Sequence, residues 1–145
     1  MKYISNNLDE SQKIANDFVS KLSPNSDKAL VVGLYGNLGS GKATFTQGVA
    51  RVLGVEETVT SPTFVIEKIY ELINQKFTHL IHIDAYRLEK PAELLHLGWK
   101  EIISDPKNLM LIEWPERVAD IMPEHIRINI SHGVENSREI EILLN

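Results

Sequence analysis

The sequence contains no cysteine, so neither a disulfide nor a thiolate-metal framework is available to it. It has no stretch approaching the roughly 20 consecutive apolar residues that a membrane span needs. Its opening residues, "MKYISNNLDE", lack the apolar segment of a secretory signal. The expected setting is therefore cytoplasmic, with no membrane partner. Positive charge is also scarce: 15 Lys and Arg stand against 20 Asp and Glu, a formal net charge of -5. Affinity for a nucleic-acid backbone comes from phosphates neutralised by Lys and Arg. Any part in nucleic-acid chemistry must then run indirectly, through a partner. Repeats, low-complexity tracts and linkers are absent too, so residues 1–145 are read as a single domain, long enough to bury roughly two thirds of its unfolded surface.

What is present has a clear order. In "DESQKIANDFVSKL" (9–22) Ile14, Phe18 and Leu22 recur four apart, which predicts a helix with one buried face, and Asp9 is placed to cap it. "ALVVGLY" (29–35) is apolar without alternation, the pattern of a strand buried on both faces of a parallel sheet. "KATFTQGVARVLG" (42–54) carries Phe45, Val49 and Leu53 at helical spacing and stops at Gly54. "FVIEKIYEL" (64–72) and "THLIHID" (78–84) flank a turn-prone segment and predict a hairpin. "PAELLHLGWKEII" (91–103) opens with Pro91 in a favoured first-turn position and reads as helix until Gly98. A buried strand "NLMLIEW" (108–114), a short helix "PERVADIM" and two half-exposed strands, "HIRINIS" and "REIEILL", complete the chain.

Between the first buried strand and the helix that follows lies "GNLGSGKA" (36–43), the P-loop pattern G-x-x-x-x-G-K-[ST] in all but its last letter. Such a loop curls backbone N–H groups around a phosphate at the positive end of a helix. Gly36, Gly39 and Gly41 allow the bend, and Lys42 supplies a point charge to the β- and γ-phosphates. Ala43 stands where a Ser or Thr hydroxyl would ligate Mg²⁺. Nucleotide binding is expected to survive this, with hydrolysis slowed by about 10- to 1000-fold. Thr44 is no substitute, because the next helical position points about 100° away.

A magnesium site also asks for carboxylates at the ends of buried strands. Asp84, closing "LIHID", and Glu113, closing "LMLIE", both have that form, and each is a candidate metal ligand and catalytic residue beside Lys42. Glu113, one methylene longer, is also suited to take a proton from an attacking water. Other residues have two readings each. Thr60, Ser61 and Thr63 form either a γ-phosphate-sensing switch loop or a plain Ser-Pro turn. His82 is a hydrogen-bonded core histidine or a catalyst. Tyr86 and Trp114 are packing or a stacking surface, and Arg87 is a phosphate contact or the solvated partner of Glu89.

Taken together, "GNLGSGKATFTQG", "TSPTFVIEKIY", "HIDAYRL" and "LIEWPER", in that order, resemble the bacterial TsaE (YjeE) family from about residue 8 to the end of the chain. That family is the small P-loop ATPase of tRNA threonylcarbamoyladenosine biosynthesis. The resemblance implies an α/β P-loop NTPase-like domain with a central mixed, largely parallel sheet flanked by helices. It implies ATP or ADP with Mg²⁺ as cofactors, and TsaD and TsaB as partners, which modify adenosine 37 of tRNA. Carried over, Leu38, Gly39, Ser40, Gly41, Lys42 and Ala43 surround the phosphates, and Thr60 to Thr63 form the switch-like loop. Asp84 lies near the metal, Glu113 is the metal-binding or water-positioning acid, Trp114 is near the nucleotide or a partner, and Ser11 is near the adenine. The chain departs from the family pattern at Asn37, where Asp is usual, and at Ala43, where Thr is usual. Two further readings of the same pattern are a nucleotide-gated binding module without turnover and a small-molecule kinase.

Overall fold

The computed structural model describes residues 1–37, 39–56 and 67–143. In chain order the elements are β1 (Lys2–Ser5), α1 (Leu8–Ser20), β2 (Leu30–Tyr35), α2 (Lys42–Val52), β3 (Glu67–Glu71) and β4 (His79–Asp84). There follow α3 (Pro91–Leu95), α4 (Trp99–Ile103), β5 (Asn108–Glu113), a 3₁₀ segment Pro115–Ile121, β6 (Ile126–His132) and β7 (Arg138–Leu143). The strands form a sheet in the order β1-β7-β6-β2-β5-β4-β3. Its four central strands, β6, β2, β5 and β4, run parallel, while β3 and the β7–β1 pair add antiparallel edges.

The apolar runs read as doubly buried strands behave that way. Alternate residues of β2 and β5 enter opposite cores. On one face Val32, Leu34, Leu109 and Leu111 meet Ile14, Ala15 and Phe18 of α1 and Phe45 and Val49 of α2. On the other, Val31, Met110 and Ile112 meet Leu94, Trp99 and Val118. Helices α1 and α2 approach closely at Gly48, where a Cβ would lie 3.2 Å from that of Ala15, and Gln12 Nε2 donates to Gly48 O at 2.9 Å.

Several boundaries differ from the sequence reading. The cap of α1 is Asn7, not Asp9: its side chain accepts from the Glu10 amide at 2.9 Å, and Glu10 Oε1 accepts from the Asn6 amide at 2.8 Å. Asp9 instead sits in the first turn, favourable beside the helix dipole. Residues 91–103 are two short helices, because Gly98 turns the chain at φ 82°. The segment after β5 winds as 3₁₀ and is interrupted at Val118. Strand β1 carried no signal of its own; pairing with β7 makes it. The predicted strand at 64–66 lies outside the described residues.

Register places the site. Leu34 near the end of β2 is opposite Glu113 at the end of β5, and Glu113 is opposite Asp84 at the end of β4. Three parallel strands thus end level with one another, at the edge where residues 36–41 lead into α2.

Candidate functional site

A cavity of about 800 Å³ opens at those strand ends. Of the residues singled out from the sequence, Ser11, Gly39, Ser40, Gly41, Lys42, Ala43, Asp84, Glu113 and Trp114 all line it. Leu38 lies outside the described residues, as do Thr60, Ser61 and Thr63.

Loop 36–41 is shaped by its glycines. Gly41, at φ 111°, is the N-cap residue of α2 and offers no side chain to cap the first-turn amides. At Gly36, φ 155°, a Cβ would lie 2.3 Å from Ile130 O, so β6 presses against the loop and only glycine fits. A Cβ on Gly39 would meet nothing within 4 Å. Ser40 is 1% exposed, and its Oγ has no hydrogen-bond partner among the described residues. Uncapped amides, an open loop and an unsatisfied buried hydroxyl together suit a polyphosphate.

Lys42 is 6% exposed. Its ammonium donates to Gly36 O and lies 3.5 Å from the centroid of the Trp114 ring. Burial lowers its pKa, opposed by the nearby charges of Glu113, Glu116 and Asp84. Trp114 itself adopts φ 59°, ψ 49°, a left-handed conformation uncommon for a bulky residue. Its ring packs 4.9 Å from that of Tyr86, over which Arg117 sits at 5.3 Å.

The two carboxylates face the same space in different states. Glu113 is 3% exposed and bonded through Oε2 to Nε2 of His82 at 2.5 Å. His82 is 1% exposed, so the sequence reading of a hydrogen-bonded buried histidine fits, with the bond made to a candidate site residue. Asp84 is half-buried, and Oδ1 accepts from the Tyr86 amide at 3.0 Å. Its pKa is raised, chiefly by burial and further by Glu113, while the Tyr86 amide, His82 and Lys42 pull it down. Among the described residues no cluster of three or more His, Cys, Asp or Glu side chains could hold a metal. Two carboxylates fit a hard cation such as Mg²⁺ only where phosphate and water oxygens complete its shell, since the Ala43 methyl supplies nothing.

The far wall was invisible to sequence reasoning except at Ser11, whose Oγ lies 2.6 Å from that of Ser5. Arg138 and Asn136 also line the cavity, with Arg138 opposite Ser5 in the β1–β7 register. Arg87, weighed earlier as a phosphate contact, lines it as well.

The chain is similar to known proteins along most of its length. A family model described as threonylcarbamoyl adenosine biosynthesis protein TsaE matches residues 5–140. The tRNA threonylcarbamoyladenosine biosynthesis protein TsaE of Rickettsia felis is 36% identical over 144 residues, 98% of this chain and 79% of that protein. Its counterpart from Bacillus subtilis is 35% identical over 141 residues, 97% of this chain and 83% of that protein. The crystal structure of YdiB from Bacillus subtilis superposes with a TM-score of 0.75 at 30% identity, covering 97% of this chain and 82% of that one. The family match over residues 5–140 takes in far more than half of the chain, and the chain belongs to the TsaE family.

Proposed function

We propose that the cavity binds ATP and ADP with Mg²⁺ and that the chain acts as a P-loop ATPase subunit in tRNA threonylcarbamoyladenosine biosynthesis. It works in the cytoplasm with TsaD and TsaB, which carry out the transfer to adenosine 37 of tRNA. The net charge of -5 favours contact with tRNA through those partners over direct binding.

One observation carries the reading: the register that sets Asp84 opposite Glu113 does so at the edge where Lys42 and the uncapped N-terminus of α2 open onto the same cavity. In this scheme the first-turn amides of α2 and the Lys42 ammonium hold the β- and γ-phosphates. Glu113 and Asp84 would hold Mg²⁺ together with phosphate and water oxygens, and bound Mg²⁺ would offset negative charge on the phosphates. The Glu113 carboxylate takes the proton of the attacking water. Trp114 and Tyr86 close the site toward the surface.

Ala43 favours a second reading, a nucleotide-gated binding module whose turnover is absent. ATP turnover measured with and without TsaD and TsaB, for the chain as it stands and for Ala43→Thr, separates the two. The ATPase reading expects turnover that responds to the partners and rises about 10- to 1000-fold with the restored hydroxyl. ADP binding without turnover in either form supports the module, and no binding in either form removes both readings.

A further inference from the structure

Lys42 and Glu113 are opposite charges, 6% and 3% exposed, lining one cavity. In so dry a setting their attraction is several times what water would allow. Glu113 acts on Lys42 more strongly than Glu116 or Asp84 does. Yet among the described residues no ion pair joins the two. The ammonium is taken up by Gly36 O and the Trp114 ring, and the carboxylate by His82.

We propose that His82 is a positioning residue that holds Glu113 away from Lys42, so that neither charge of the site is spent on the other before a nucleotide arrives. This rests on the nucleotide reading of the cavity. His82 pairs in register with Leu111, two residues before Glu113, and alternate strand residues share a face, so its ring reaches the carboxylate along the sheet. The pull is therefore toward β4 and away from the head of α2. A carboxylate oxygen can only accept, so in this bond the hydrogen sits on Nε2 of His82. Nδ1 is buried with no partner among the described residues. An imidazole serving only as core filling would more cheaply be an apolar side chain; here a whole hydrogen-bonding position is left unused to keep one bond to Glu113.

The test is ADP affinity by calorimetry without Mg²⁺, so that Glu113 bears on binding only through its charge, with circular dichroism confirming that each protein is folded. His82→Leu frees Glu113 to pair with Lys42, and ADP should bind about tenfold more weakly, the size of one charge-assisted hydrogen bond. Adding Glu113→Gln to His82→Leu removes the competing charge and should restore affinity, which a merely structural role of His82 would not do. Substitutions that keep the core polar guard against misfolding of the leucine variant. His82→Gln, whose amide reaches where Nε2 lies, should bind ADP as the parent does, whereas His82→Asn falls short of Glu113 and should lose affinity. If the parent binds ADP and His82→Leu and His82→Asn bind it equally well, or Glu113→Gln fails to rescue, the positioning role is overturned and the nucleotide site stands. If the parent itself binds no ADP, the nucleotide reading and the positioning role fall together.

Discussion

The ammonium of Lys42 lies over the indole of Trp114, 3.5 Å from its centroid, while donating to Gly36 O. Both contacts compete with a phosphate for the same cation, and the backbone that carries the ring is held at φ 59°, a conformation that costs on the order of 1–3 kcal/mol. Nucleotide should draw Lys42 off the indole, changing its surroundings. ADP titration is therefore expected to alter tryptophan fluorescence, and Trp114→Phe should abolish the change. The other tryptophan, Trp99, is buried in the core and does not line the cavity, so it should give an invariant background. An unchanged emission at saturating ADP would contradict this competition.

Burial raises the pKa of Asp84, so the folded protein holds that proton more tightly than the unfolded chain does. The sign follows: the contribution to stability is fully present below the ordinary carboxylate pKa and is lost as pH rises through the raised value. Ionised Asp84 thus destabilises the fold at neutral pH. Asp84→Asn should melt about 1–3 °C higher than the parent at pH 7, with the gap closing as pH falls below the usual carboxylate range. The same substitution should depress ATP turnover. A parent that melts higher than Asp84→Asn at pH 7 would show that the carboxylate is stabilised where it stands.

Gly36 and Gly39 both have positive φ, yet their alanine variants should behave differently. At Gly36 the added methyl would meet the Ile130 carbonyl at 2.3 Å and Ser40 Oγ at 2.6 Å, so β6 and the loop must separate. Gly36→Ala is expected to cost about 3 kcal/mol or more. At Gly39, φ 76°, the methyl meets nothing within 4 Å, leaving a backbone cost of about 1 kcal/mol. Urea unfolding of the two variants measures the difference; equal losses would mean that the close approach of β6 is not what confines Gly36.

Local chemistry made one side of the site legible and left the other blank. Lys42 stands out by the P-loop pattern and Asp84 and Glu113 because each ends an apolar run, and parallel strands in register bring such ends together. His82 could be read as buried, but its partner could not, since a cross-strand bond depends on register that no spacing encodes. Gly98 marks where a helix stops, but nothing in the spacing says that a second short helix follows it. Strand β1, and with it the wall formed by Ser5, Asn136 and Arg138, exists only through the order β1-β7-β6-β2, which carries the last strands of the chain back beside the phosphate loop. "KYIS" is too short to announce itself, and Arg138 lies in no motif.

Arg138 follows from that sheet order. It begins β7 opposite Ser5, and its Nε lies 3.8 Å from where a Cβ on Gly41 would be, beside the head of α2. Its Nη1 donates to the carbonyls of Asn136 and Ser137 at 3.4 and 3.2 Å, and among the described residues it has no ion pair. A guanidinium lining the cavity beside Lys42 and the uncapped start of α2 adds to the attraction for a polyphosphate. Arg138→Gln should weaken ADP binding about 5- to 10-fold at low salt, with the deficit shrinking as ionic strength rises, because the cation is partly exposed and screened. Arg138→Lys should keep part of the affinity, having the charge without the fork. Lys107→Gln, an exposed charge just before the start of β5 and so at the other end of the strands, controls for net charge and should leave binding alone. Equal affinities for parent and Arg138→Gln at low salt would confine the phosphate contacts to the loop and Lys42.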